Sequence, residues 1–192
     1  MTDERHPMEV AVDLGRALEA QGIPYAIGGA LAFGMWGRPR FTADIDVNVF
    51  IQVDELDSLV GAFEDAGVSW EPTEARRRAS AEGMFVAWAG SFRVDVFTPS
   101  IPYSWQALQT RVQLEARGAK IWFLGPEATA VFKLLFFRGK DVEDLRVLLR
   151  VQGARLDVRH VASAVADVVG DDDERLRTWS RLVDEAGLRN SP

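Results

Sequence analysis

Asp44 and Asp46 stand two apart in a run that is otherwise apolar and β-branched, DIDVNVFI, and this run limits the fold more tightly than any other stretch of the chain. The run reads as a strand, and side chains on a strand alternate with a period of two. Asp44, Asp46 and Asn48 therefore share one face, and Ile45, Val47 and Val49 share the other. Two carboxylates on one strand face repel each other, and a cation between them relieves the repulsion. Mg²⁺ suits such a face, because it takes a few carboxylate oxygens and completes its shell with water and phosphate. The plain alternative is that the pair marks the solvent face of an edge strand.

Gly28-Gly29 lies upstream, between a short strand at Tyr25 to Ile27 and a helix at Ala30 to Trp36. A helix N-terminus without a Cβ in the way is a phosphate cradle. Cradle and acidic pair together describe a site for a nucleoside triphosphate. Arg38 and Arg40 fall on the turn before the acidic strand, and Thr42 stands just ahead of Asp44.

A third carboxylate follows in the clearest hairpin of the sequence. Met84 to Ala89 and Phe92 to Phe97 flank Gly90-Ser91, a tight turn with glycine first. On the second strand Arg93, Asp95 and Phe97 share a face. If this strand neighbours the first, Asp44, Asp46 and Asp95 converge and imply bound divalent ions. Otherwise Asp95 is a lone carboxylate on a wet face, paired with Arg93.

Lys133 sits in AVFKLLFF, apolar on both sides, after Gly125-Pro126 opens a helix. A lysine is almost never buried unpaired, so its ammonium either snorkels to water or points at an anion. Beyond it comes Arg138-Gly139-Lys140-Asp141-Val142-Glu143-Asp144, in which Asp141 and Asp144 share a helix face and can hold Lys133 or Arg138 in place.

Gly-Gly followed by D-I-D on a strand resembles the nucleotidyltransferase superfamily of the DNA polymerase β type. The order R-F-T-A-D-I-D is most similar to its AbiEii-type and MenT-type toxin branch. The resemblance runs from about Tyr25 to Leu149 and includes the R-V-D-V-F strand, the lysine helix and the segment that matches R-x-K-D-x-x-D. Gly139, where the toxin branch often has a longer residue, departs from the pattern.

The resemblance implies an α/β (α+β) fold: a small mixed β-sheet nucleotidyltransferase core at residues 1–125, then a helical C-terminal region at 126–192. It implies NMP transfer from an NTP with two Mg²⁺ ions held by Asp44, Asp46 and Asp95, and catalysis by those residues with Lys133. Gly28, Gly29, Arg38, Arg40, Thr42, Lys133, Asp141 and Asp144 are the expected nucleotide contacts. The implied acceptor is a tRNA 3′ end, which would make the chain a toxin with a cognate antitoxin partner. Arg76 to Arg78, Arg111 and Lys120 are then the residues to grip RNA. Two rivals remain: adenylylation of a small molecule such as an aminoglycoside, and a non-catalytic regulator that binds a nucleotide or a partner.

Composition narrows the field further. Among 192 residues there is no cysteine and there are two histidines, His6 and His160, which argues against thiolate or zinc sites and histidine acid–base chemistry. No apolar run is long enough to span a membrane, residues 1–20 do not read as a signal peptide, and the cytoplasm is the expected location. A net charge of −7 disfavours nucleic-acid binding unless basic residues cluster locally.

Elsewhere the pattern predicts a loose tail at residues 1–7 and helices at 8–21, 53–66, 105–111, 158–169 and from about 171 to 186. Asp54 is the expected N-cap of the second of these, and Arg76 to Arg78 are expected in a solvated loop.

Overall fold

Ile45, Val47 and Val49, the apolar face read from the sequence, are fully buried, and a sheet is built on both sides of their strand. The computed structural model describes residues 5–188. Its strands are β1 (Tyr25–Ile27), β2 (Asp44–Val49), β3 (Val68–Ser69), β4 (Met84–Ala89), β5 (Phe92–Phe97), β6 (Val112–Ala116) and β7 (Ala119–Phe123). They form one mixed seven-stranded sheet in the order β3-β4-β5-β2-β1-β7-β6. β2 runs parallel to β5 and antiparallel to β1. The α/β expectation therefore holds.

The described residues fall into two compact units. The first comprises the chain to Leu31 and Phe41–Leu124, and contains the whole sheet. Helices α1 (Pro7–Ala20), α3 (Leu59–Asp65), α4 (Pro72–Glu82) and α5 (Tyr103–Gln109) belong to it. Most of the tail expected at residues 1–7 lies outside the described residues, and Pro7 is already helical. His6 caps α1, accepting from the Met8 amide, while Glu9 accepts from the His6 amide. Trp70 fills the far end of this core, stacked on Phe85 and edge-on to Phe63.

The second unit comprises Ala32–Arg40 and the chain from Gly125 onward. Helix α2 (Gly29–Trp36) therefore starts in one unit and ends in the other. The rest is α6 (Pro126–Phe136), α7 (Gly139–Gln152), α8 (Val158–Val169) and α9 (Glu174–Glu185). Val131, Leu134, Leu145, Leu148, Val161, Val165 and Leu182 are buried to within 1% and form its core. Asp157 and Asp173 cap the last two helices as their positions suggest, each accepting from backbone amides in the first turn.

Three expectations about local structure need correction. Residues 53–66 are not one helix capped by Asp54. A 3₁₀ segment, Val53–Ser58, precedes α3; Gln52 takes the cap position, and its amide donates to Glu55. Arg76 to Arg78 do not lie in a loop but in the middle of α4. Glu71 caps that helix and Pro72 presets its first turn, while its buried stripe is only Ala75 and Ala79, too slight a pattern to stand out. Strand β6 was not expected. Its hairpin to β7 turns through Arg117 at φ 49° and Gly118 at φ 74°, and an arginine in the left-handed region gives no Asn-Gly signal.

Candidate active site

The register of β2 and β5 sets the acidic face. Asp46 stands directly opposite Asp95, and Asp44 opposite Arg93. The parallel pairing thus brings carboxylates of two strands to one sheet face, with Asp46 and Asp95 half-buried and Asp44 exposed. Like charges directly opposite one another destabilise a sheet, and Arg93 offsets them here. Its Nε donates to Asp95 Oδ1 at 2.7 Å. The hydrogen bond to Asp95 and that carboxylate's charge, with Asp44 and Asp46 adding to them, hold the Arg93 guanidinium above its ordinary pKa. Thr42 braces the start of the strand, its hydroxyl oxygen accepting from the Asp44 amide at 3.2 Å.

The glycine pair meets this face from β1. The Gly28 amide donates to the Asp46 carbonyl at 2.8 Å, so it is engaged with β2. A Cβ on Gly28 would stand 2.8 Å from Asn48 Nδ2, and one on Gly29 would stand 1.8 Å from Asp46 Oδ2. The Asp46 carboxylate therefore lies against the bare Cα of Gly29, where the backbone takes φ 54° at the start of α2. The sequence marked both glycines as a cradle. In the structure their first effect is to let the Asp46 side chain lie flush on the backbone. Phe41, not singled out from the sequence, is 89% exposed three residues before Asp44.

The other expected contacts form a second cluster, in the helical unit. Lys133 is 5% exposed, and its Nζ donates to Asp144 Oδ2 at 2.7 Å and lies 3.5 Å from Asp141 Oδ1. It also sits 5.1 Å from the centroid of the Phe33 ring. Of the two outcomes open to a lysine on a greasy helix, the structure takes the anion and not the snorkel, and the anions are the chain's own. Arg40 Nη2 donates to the same Asp144 oxygen at 3.2 Å. Arg138 caps α7 through Asp141, which accepts from both its amide and its Nε. Burial works to raise the Asp141 carboxyl, but Arg138 and Lys133 outweigh it and hold the group below the usual carboxylate range. The break between α6 and α7 falls at Phe137, in the left-handed region at φ 53°, two residues before Gly139. Arg38 is exposed.

Residues 16–180 match a protein family described as "Nucleotidyltransferase of unknown function (DUF6036)". The chain belongs to this family. No curated protein sequence matches this nucleotidyltransferase. Among solved structures its fold is similar to that of the antibiotic-resistance factor ANT(2'')-Ia in solution, with TM-score 0.59 and 16% identity over 94% of this chain and 96% of the other. The crystal structure of ANT(2")-Ia in complex with adenylyl-2"-tobramycin gives 0.58 and 16% over 91% and 97%. An antigenic nucleotidyltransferase-like protein from Paracoccidioides brasiliensis gives 0.50 and 18% over 91% and 92%. These likenesses establish the fold.

Nucleotidyltransferases generally use divalent metal ions. The donor set on β2 and β5 is chemically apt for one, since it consists of hard carboxylate oxygens at paired positions. Among the described residues no three acidic or histidine side chains stand together as a finished ligand cluster. Two of these carboxylates are engaged within the chain: Asp95 with Arg93, and Asp46 against Gly29. Among those residues, too, no helix is long and apolar enough to cross a membrane.

Proposed function

We propose that this nucleotidyltransferase moves a nucleoside monophosphate from an NTP onto an acceptor hydroxyl, with Asp44, Asp46 and Asp95 as its acidic centre. The observation that carries the reading is the register that sets Asp46 opposite Asp95, beside Gly28-Gly29. Mg²⁺, two ions in the fullest form, would be held by these three carboxylates and would supply charge neutralisation for the triphosphate and a more acidic acceptor hydroxyl. Asp95 would accept the hydroxyl proton. Gly28 and Gly29 would let the Asp46 carboxylate be presented flush against the backbone, and Thr42 fixes the strand that carries Asp44.

The acceptor we favour is a small hydroxylated molecule, cationic in the manner of an aminoglycoside. Three observations support it. The net charge of −7 attracts cations and repels nucleic acid. The arginine run best placed to grip RNA is instead paired along α4, Arg76 with Asp57, Arg77 with Glu74, and Arg78 with Glu74 and Glu82. ANT(2")-Ia, crystallised in complex with adenylyl-2"-tobramycin, shares the fold over nearly the whole of both chains.

The second reading is a tRNA 3′ end as acceptor, in a toxin with an antitoxin partner; the R-F-T-A-D-I-D sequence favours it. Incubation with each α-labelled NTP and Mg²⁺, plus either aminoglycosides or total tRNA, separates the two. The expected result is label in the small acceptor, lost in Asp46→Ala. Label in tRNA selects the second reading. Label in neither overturns the transferase proposal and leaves a nucleotide-binding regulator.

A further inference from the structure

We propose that Arg93 is an internal counter-cation for the acidic face, competing with divalent metal for Asp95, so that metal enters by exchange with the guanidinium. The inference rests on the metal reading above and adds a residue to it. Arg93 stands opposite Asp44 in the β2–β5 register, and its side chain turns along its own strand to Asp95. The contact is a charge-assisted hydrogen bond of 2.7 Å, made by one of the three carboxylates the metal needs.

Exposure shows which partner can move. The Arg93 side chain is 45% exposed, whereas that of Asp95 is 18% exposed. Arg93 can swing into water with little loss, because an arginine stem is long and its head is readily hydrated. Asp95 is held by the pairing of β5 on both sides, with β2 and with β4. A divalent ion held by Asp46 and Asp95 would add two positive charges beside the guanidinium. It would compete with Arg93 for Asp95 Oδ1, the oxygen the guanidinium holds, and repulsion between the two cations would favour release of the arginine. Without metal, Arg93 limits the repulsion between Asp46 and Asp95 that would otherwise load the sheet at its centre. The same residue thereby stabilises the metal-free chain and weakens its hold on the ion.

The test is Mn²⁺ binding without nucleotide, followed by calorimetric titration and by the loss of the free-ion paramagnetic signal. Arg93→Ala is expected to bind Mn²⁺ roughly tenfold tighter than the parent chain, the worth of one charged hydrogen bond. Arg93→Lys, which keeps the charge without the planar fork, should fall between the two. Arg93→Ala should also melt lower in chelator and gain more from added Mn²⁺ than the parent does. Asp46→Ala should lose the binding. If the parent binds Mn²⁺ and Arg93→Ala binds equally or more weakly, the exchange is wrong while the metal site stands. If Asp46→Ala keeps full binding, or the parent binds none, the metal reading fails and takes the exchange with it. Should Arg93→Ala not fold, an Arg93→Lys affinity equal to that of the parent overturns the proposal.

Discussion

At Gly29 a backbone requirement and a packing requirement coincide. The residue takes φ 54°, and a Cβ there would stand 1.8 Å from the Asp46 carboxylate. Gly22 provides the control: its φ is 68°, but nothing lies within 4 Å of a Cβ built on it. Alanine at Gly22 pays for backbone strain alone and should cost about 1 kcal/mol in a denaturant melt. Alanine at Gly29 adds displacement of Asp46, so the expected loss is about 2–4 kcal/mol, with nucleotidyl transfer abolished. Equal losses at the two positions would mean that Asp46 swings aside freely, and that its place on the backbone is incidental. The sequence marked Gly29 for a different reason, as a cradle for phosphate. Its closeness to Asp46 could not be read there, because that contact depends on which side of β1 the acidic strand lies.

The α6–α7 pair is where an expectation about one residue becomes a property of two helices. Lys133, Asp141 and Asp144 are all nearly buried, and each charge is balanced by the others with help from Arg40 and Arg138. Removing one partner of a buried pair strands the other, so Lys133→Met should destabilise by about 3 kcal/mol. Asp144→Asn should be similar, and the double variant should cost clearly less than the sum of the two; strict additivity would show that the ammonium and carboxylate are not coupled. Loss of activity in Lys133→Ala therefore does not by itself assign catalysis to this lysine. Protonation tests the same cluster. Asp141 is depressed in the folded chain relative to the ordinary aspartate value of about 3.9, so its stabilisation is fully present above that value and is lost as pH falls through the lower folded one. Asp141→Asn should therefore flatten the stability–pH curve below about pH 4; a parent curve already flat there would contradict the pairing. The apolar helix and the two aspartates on one helix face were legible from spacing, whereas whether Lys133 reached water or an anion was left open there and is decided by Asp144. The Arg40–Asp144 bond was not legible, since its partners are 104 residues apart and periodicity speaks only for neighbours.

For the molecule as a whole, charge is what separates the two acceptors proposed. Local patterns made the sheet, the hairpin and the three carboxylates legible, because alternation and turn chemistry are short-range. Strand order and the helical state of Arg76 to Arg78 were not, because each depends on residues brought in from elsewhere; the Arg93–Asp95 pair, two residues apart on one strand, was the local alternative read for Asp95. The helical state of the arginine run matters for function. In a solvated loop three successive arginines would offer three free charges to a phosphate backbone. On α4 they are engaged by Asp57, Glu74 and Glu82 within a chain of net charge −7. Pairs this exposed contribute little to stability, so replacing all three arginines by alanine should leave the fold intact. For a small cationic acceptor the KM of that triple variant should stay within about twofold of the parent, or fall slightly as the surface grows more acidic. A tRNA acceptor would lose phosphate contacts instead: its KM would rise tenfold or more, and the steepness of its salt dependence would drop by about one ion per contact removed. Steady-state kinetics of the parent and the triple variant at two salt concentrations measure both quantities, and a rise confined to the RNA acceptor would reverse the preference argued here.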